Sequence, residues 1–532
     1  MSLVPFLLIA FIGATAAIVV RGPERLATAI GLVGLAGAAV AALAITPDSS
    51  LAVGGHGIAT TAYLRLFLAL GAIVGLILAI VGAAVGSRRD ASAVTLAILG
   101  TAGLALAIPD PRIAVLAATA GGVFGALVCI APLGGRAGAT VGIRVLRATI
   151  IAGTMAIAAT AWIGRDLSDL AAQPVVFGLA YLAMALAVAI RFGAIPLHAW
   201  AARLTDAVPE TTLPLVTAWA PASLAIVALA WADSSIAPLL VDVGSARLLV
   251  LGIAIASILL ATLAAWIQDD LEHIVGYTII GDAGVVMLAV AALDPAAWAP
   301  ARMWILSFVV ARSAFAAWAA ACRTTFSTGR IADLRGWAIR SPVLAAAFVA
   351  VVVASIGLPG LAAFDARGEL IDLTLSGPVA VLVWIGVLAP LATYGRLFIV
   401  GIGRPDPASA GSTTSRPRFS PLELTNLRGW LGMTWSDNRG SAASIGALVL
   451  AVLALGVSVG LFGGPGASAG LPPVLDGAVE SFEPQPGPAE PEPDPGVEES
   501  FEPEPGIEGS FEIEPEPGAS GPAFEPVPTP SP

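Results

Sequence analysis

The chain has 532 residues, of which 57% are hydrophobic and only 12% charged, and its mean hydropathy is +0.89. Soluble domains carry roughly twice that share of charge. This excludes a soluble globule, a nucleic-acid binder and a disulfide-stapled secreted fold, and leaves an all-α polytopic membrane protein. A spanning helix needs about 20 apolar residues. In chain order, candidate spans lie near 3–20, 26–46, 61–86, 92–108, 112–133, 144–164, 174–200, 212–232, 244–266, 273–293, 301–323, 342–363, 376–402 and 441–462, which makes fourteen. The first has no basic leader and no convincing cleavage site, so it is read as a retained helix.

The net charge of −11 is unevenly placed. From residue 471 onward there are fifteen Asp and Glu and no basic residue, which leaves residues 1–470 at +4. All 26 basic residues are Arg. Ser-Phe-Glu-Pro occurs at Ser481–Pro484 and again at Ser500–Pro503, embedded in Pro, Glu and Gly. Such a segment cannot bury enough apolar surface to offset its ordering entropy, so a disordered acidic tail is expected. The expected organisation is two N-terminal helices (1–60), a translocating core (61–402), a cytoplasmic loop with the last helix (403–464) and the tail (465–532).

Arg content sets the expected orientation. Loops one, three, five, eleven and thirteen hold sixteen of the 26 Arg, including Arg21, Arg25, Arg88, Arg89, Arg136, Arg144 and Arg147. Those loops are assigned to the cytoplasm. Both termini then lie outside, in a multi-pass protein of the plasma membrane.

Ionisable groups at bilayer depth cost about 2.5–3.5 kcal/mol on insertion scales, and they persist where they face protein or water. Four stretches carry them. Arg191 precedes Pro196 and His198; a proline here lacks an N–H and strands the carbonyl of Phe192. Arg312 sits within a long apolar run. Gly357-Leu358-Pro359 leads to Asp365, Arg367 and Glu369, with the two acids four residues apart on one helical face. Asp269, Asp270, Glu272 and His273 fall between spans, and Asp282 lies inside the next one. From spacing alone, the Arg191 and Gly357–Glu369 stretches read equally as an ion pathway or as an ordinary helix end or loop; for Arg312 the alternative is a structural ion pair, and for Asp269 to His273 a solvated loop is the default, with Asp282 harder to place in it. The two cysteines, Cys129 and Cys322, lie in apolar runs, and no spacing implies a metal or cofactor.

Taken together, these stretches resemble the antiporter-like membrane subunits shared by NADH:quinone oxidoreductase (complex I), Mrp cation/proton antiporters and membrane-bound hydrogenases. The resemblance rests on Arg191 before Pro196-Leu197-His198-Ala199-Trp200 and on Asp270-Leu271-Glu272-His273 running to Tyr277-Thr278. Arg312 before Phe315, and the Gly357-to-Glu369 segment, extend it. So do Asp333-Leu334-Arg335-Gly336-Trp337 with Pro342, and Tyr394-Gly395-Arg396. It implies inverted five-helix repeats with helices 7 and 12 broken, at Pro196 and Pro359. It also implies an ion pathway through Arg191, His198, Asp206, Asp282, Arg312, Arg367 and Glu369. The implied partners are other membrane subunits, the lipid bilayer and protons or Na⁺, with no redox cofactor and no active site on the chain itself.

The sequence departs from the family in three places. After Trp200 the usual Leu-Pro-Asp-Ala gives way to a longer Ala201–Val208, in which Asp206 is the nearest equivalent acid. The family's fifth helix carries a Glu, whereas Ala114–Ile130 has no acid. Its eighth helix carries a central Lys or His, whereas Leu213–Trp231 has neither, and Pro221 stands near that place. Two readings stay open: a conducting subunit, or a structural subunit that kept the fold and lost conduction. A third is an unrelated secondary transporter with broken helices.

Overall fold

Lipid offers the backbone no hydrogen-bond partners, so an apolar chain closes its own bonds in helices. The computed structural model describes residues 2–20, 24–53, 56–86, 91–130, 136–163, 174–235, 243–404 and 439–462. Most of the expected cytoplasmic loop and the whole acidic tail lie outside them. The helices are α1 (Val4–Val19), α2 (Glu24–Leu43), α3 (Ala62–Val85), α4 (Ala91–Ala107), α5 (Pro111–Ile130), α6 (Arg136–Trp162), α7 (Pro174–Phe192) and α8 (Ala220–Ser235). They continue with α9 (Gly244–Ile267), α10 (Leu271–Ala292), α11 (Trp298–Phe326), α12 (Pro342–Ile356), α13 (Ala362–Thr374), α14 (Gly377–Leu388), α15 (Pro390–Ile402) and α16 (Arg439–Val459).

Among the described residues, ten helical segments are long and apolar enough to cross a membrane, and four shorter apolar helices accompany them: α1, α4, Pro111–Leu127 of α5, and α12. Two details differ from the sequence-based expectation. The fold is not purely helical: β1 (Ser49–Val53) and β2 (His56–Thr60) pair antiparallel, Val53 facing His56 and Ser49 facing Thr60. Also, α6 starts at Arg136, so Arg144 and Arg147 sit on a helix and not in a loop. A single Arg per helical turn leaves an apolar face continuous enough for the helix to extend past them.

The bundle is built around α8 and α11, both buried through their apolar middle sections. Helices α9 and α14–α15 lie at the periphery and expose Leu248, Leu263, Ile385 and Ile399. Small residues set the closest approaches, as expected where helices pack without a hydrophobic driving force. Gly284 of α10 lies against α9 so closely that a Cβ there would stand 2.9 Å from the Ala254 carbonyl oxygen.

Two spans are broken. α7 ends at Phe192, and the chain turns through Gly193 (φ 65°) and a cis Ile195–Pro196 bond into a single 3₁₀ turn, Leu197–Ala199. The break thus begins four residues before Pro196. It is pinned by the Ile195 N–H donating to Ser257 Oγ at 2.9 Å and by Trp200 Nε1 donating to the Ile190 carbonyl at 2.8 Å. α12 ends at Ile356, and Gly357 (φ 69°) and Gly360 (φ 89°) carry the chain past Pro359 to α13. α8 is irregular too. A π turn, Leu215–Trp219, precedes it, with the Ala220 N–H reaching the Leu215 carbonyl five residues back. Pro221 lacks the N–H that would bond the carbonyl of Thr217, and its ring crowds that carbonyl, so the helix widens just before it.

Candidate functional site

Arg191 stands in the last turn of α7 and is 1% exposed. Its Nη1 donates to Thr149 Oγ1 of α6 at 2.9 Å, while Nε and Nη2 are buried and have no partner. No carboxylate pairs with it among the described residues. α5, which has no acid between Ala114 and Ile130, presents Gly122 against the guanidinium.

The densest constellation joins α10, α11, α13 and α15. Asp282 of α10 accepts from Arg312 Nε of α11 at 2.6 Å, and Arg312 is 1% exposed. Arg312 also donates through Nη1 to the Tyr394 hydroxyl of α15. Arg367 of α13 turns back across the helix break, and its Nη2 donates to the Ile356 carbonyl at 2.7 Å. That carbonyl belongs to the last turn of α12, where helical partners run out and a cation suits the dipole. The rings of Trp304 and Phe364 lie 5.5 and 5.4 Å from the Arg367 guanidinium. A cavity of about 10 Å³ separates Asp282 from Arg367, with Thr262, Thr278 and Trp304 in its wall. Such a volume, in a polar wall, accommodates about one water. One carboxylate therefore stands between two buried guanidiniums.

The remaining expected site residues lie apart from this hub. His198 sits half-buried on the 3₁₀ turn after α7. Asp206 is half-exposed and lies 3.2 Å from His273 Nε2 and 3.8 Å from Arg203. Glu369 is exposed, two residues beyond the buried Arg367 and so on another face of α13. Sequence reasoning missed Glu210, which is 3% exposed and accepts from Arg323 at 2.8 Å. Arg323 also reaches Glu272 at 3.4 Å, so a chain of charges closes this end of α10 and α11. Burial pushes the Glu210 carboxyl above its ordinary range, and Arg323 opposes that shift. Gly122, Thr149 and Arg302 were also missed. Arg302 is 3% exposed, with the rings of Tyr63 and Trp298 about 5.4 and 5.5 Å from its guanidinium. Glycine and threonine leave no sequence signal in an apolar helix. Arg302 and Glu210 were legible as charges beside spans, but their burial was not.

The Tyr394-Gly395-Arg396 motif resolves into two tasks. Tyr394 holds Arg312. Arg396 donates to the Trp266 and Gln268 carbonyls at 2.7 and 2.8 Å and to Asp269 at 2.8 Å, closing the C-terminus of α9.

Residues 149–393, which include Arg191, Asp282, Arg312 and Arg367, match the family profile described as NADH:quinone oxidoreductase/Mrp antiporter, TM. That match, to the antiporter-like membrane subunits, spans just under half of the chain. Among curated relatives, it is 28% identical over 250 residues to NADH-quinone oxidoreductase subunit N of Halorhodospira halophila, covering 46% of this chain and 50% of that one. It is 34% identical over 156 residues to subunit N of Cereibacter sphaeroides, covering 29% and 34%. The chain thus spans about half, or less, of the length of the curated relatives it matches. Solved structures share the fold over a greater length. A chain of the Mrp complex from a Dietzia species superposes with a TM-score of 0.67 at 17% identity, covering 89% of this chain and 97% of that one. A chain of respiratory complex I from Thermus thermophilus gives 0.62 at 18%, covering 86% and 98%. With ten helical segments long and apolar enough to cross a membrane among its described residues, the chain is a multi-pass membrane protein, and its structural neighbours are parts of multi-subunit complexes.

Proposed function

We propose that the chain is an ion-translocating membrane subunit of a respiratory-type or antiporter complex, moving protons, or Na⁺ against protons. Fourteen spans, both termini outside the cytoplasm, and inverted repeats of spans four to eight and nine to thirteen complete this reading. It is supported by the position of the breaks: α7 is the fourth span of the first set, and α12–α13 is the fourth of the second.

The observation that carries the reading is Asp282, bonded to Arg312 and facing Arg367 across a water-sized cavity. An arginine holds its proton far more tightly than a lysine does. Arg191, Arg312 and Arg367 therefore act as fixed charges, and protons travel on water and on His198, Asp206 and Glu369. Asp282 supplies the switch. When its carboxylate moves from Arg312 toward Arg367, one guanidinium is uncovered and the other neutralised, and the field along the axis shifts. Lysine would add a releasable proton; this chain has none and works through displacement of charge.

A passive structural subunit is the second reading. It is favoured by Arg191, whose one described partner is a neutral hydroxyl. Ion transport by the complex reconstituted in vesicles separates the two. Arg191→Ala, Arg367→Ala and Asp282→Asn are each expected to cut transport at least tenfold while the subunit still assembles. Assembly with parental rates in all three variants establishes the passive reading.

A further inference from the structure

Of the three glycines of α5, Gly122 faces the buried Arg191, whereas a Cβ at Gly121 would meet Thr101 Oγ1 of α4 at 2.7 Å. A Cβ at Gly125 would make ordinary contact with Val216 at 3.4 Å. A Cβ at Gly122 would stand 2.5 Å from Arg191 Nη2, 2.6 Å from its Cζ and 2.8 Å from Thr149 Cγ2. No Cβ tolerates such distances, so one of the three groups must move. Arg191 has little room to do so: it is 1% exposed, and its Nη1 is tied to Thr149. The guanidinium thus occupies the space that a side chain at 122 would fill.

We infer that Gly122 is the positioning residue that makes site 191 specific for arginine, a steric seat formed by α5 and α6 for the guanidinium of α7. The inference deepens the reading of Arg191 as part of the charged axis. Lysine ends at the atom corresponding to Cζ and carries neither Nη group. It can swing away from a methyl at 122 by a rotamer change that a tethered guanidinium cannot make. Residues 122 and 191 are therefore coupled: arginine requires glycine opposite, and lysine tolerates alanine.

A double-mutant cycle tests this on the full chain in its complex, using Gly122→Ala, Arg191→Lys and the double variant. Melting temperature and transport are both read. Gly122→Ala is expected to lower the melting temperature, or to prevent assembly, in the Arg191 background. The double variant should assemble and melt with Arg191→Lys alone. The inference is overturned if alanine at 122 costs nothing, if it costs the same with lysine as with arginine, or if neither alanine form assembles. Transport by Arg191→Ala in the same complex tests the conduction reading separately, so the seat and the conduction reading fail independently.

Discussion

Asp282 and Glu210 are both largely buried carboxylates held by an arginine, yet their surroundings differ. Asp282 meets a fully buried guanidinium, whereas Glu210 meets Arg323, which is about half exposed. Removing one partner of a buried pair costs about 3–5 kcal/mol because the other charge is stranded. That makes Asp282 expensive to neutralise even if it has no part in transport, so assembly and transport must be scored separately. Glu210 has a pH signature. Burial holds its carboxyl above the unfolded value, so the folded state binds that proton more tightly. The stabilisation is complete below the unfolded pKa, about 4.3, and is lost as pH rises through the raised folded value. Glutamine at 210 carries no charge at any pH. The melting temperature of Glu210→Gln should therefore gain on the parent as pH is raised from about 4 to about 7. A variant that loses ground over that range would show that attraction to Arg323 outweighs desolvation.

The helix breaks convert local backbone chemistry into site geometry. α12 stops at Gly357, whose φ of 69° disfavours any side chain, and a Cβ there would lie 3.2 Å from the Phe364 backbone nitrogen. Stopping the helix leaves the Ile356 carbonyl for Arg367, so the turn and the buried cation depend on each other. Gly357→Ala should cost about 1–3 kcal/mol of strain and displace Arg367. The expected readout is a lower melting temperature together with reduced transport, whereas Gly360→Ala, with open space around it, should cost only its backbone strain. Equal behaviour of the two variants would detach the Gly357 turn from Arg367. The break after α7 is built otherwise, with Ser257 and Trp200 bonding the backbone of the turn and the end of α7.

The molecule as a whole exposes apolar side chains along α9, α14 and α15 and buries its charged axis, the arrangement a bilayer requires. The proposed topology places the acidic tail outside. Protease added to intact cells should then remove the chain beyond about residue 465 without disturbing the membrane portion. Cleavage confined to inverted vesicles would reverse the orientation read from the arginines. Because the curated relatives are matched over about half their length or less, the coupling of this subunit to a redox or antiport partner rests on recovery of the intact complex.

Periodicity and composition alone made the protein a helical membrane bundle, and prolines and glycines beside charges marked both broken helices. Those signals are local: an apolar run must become a helix in lipid, and a proline must interrupt one wherever it falls. The burial of Arg312 was legible for the same reason, since a charge within a long apolar run has nowhere to go except into the protein, whereas Arg191 read equally as a snorkelling helix end and Arg367, flanked by Asp365 and Glu369, as part of a loop. Their partners were not legible. Asp282 lies 30 residues from Arg312 and Tyr394 lies 82, so only the folding of α10, α11 and α15 against one another joins them. Gly122 and Thr149 carry no charge to betray them, and they become part of the site only because α5, α6 and α7 pack within a methyl group's width of each other. Glu369 shares a helix with Arg367 but not a face, since a separation of two residues rotates it about 200° around the axis. Sequence spacing alone decides which groups share a helix, whereas the packing of the helices decides which charge each buried group meets.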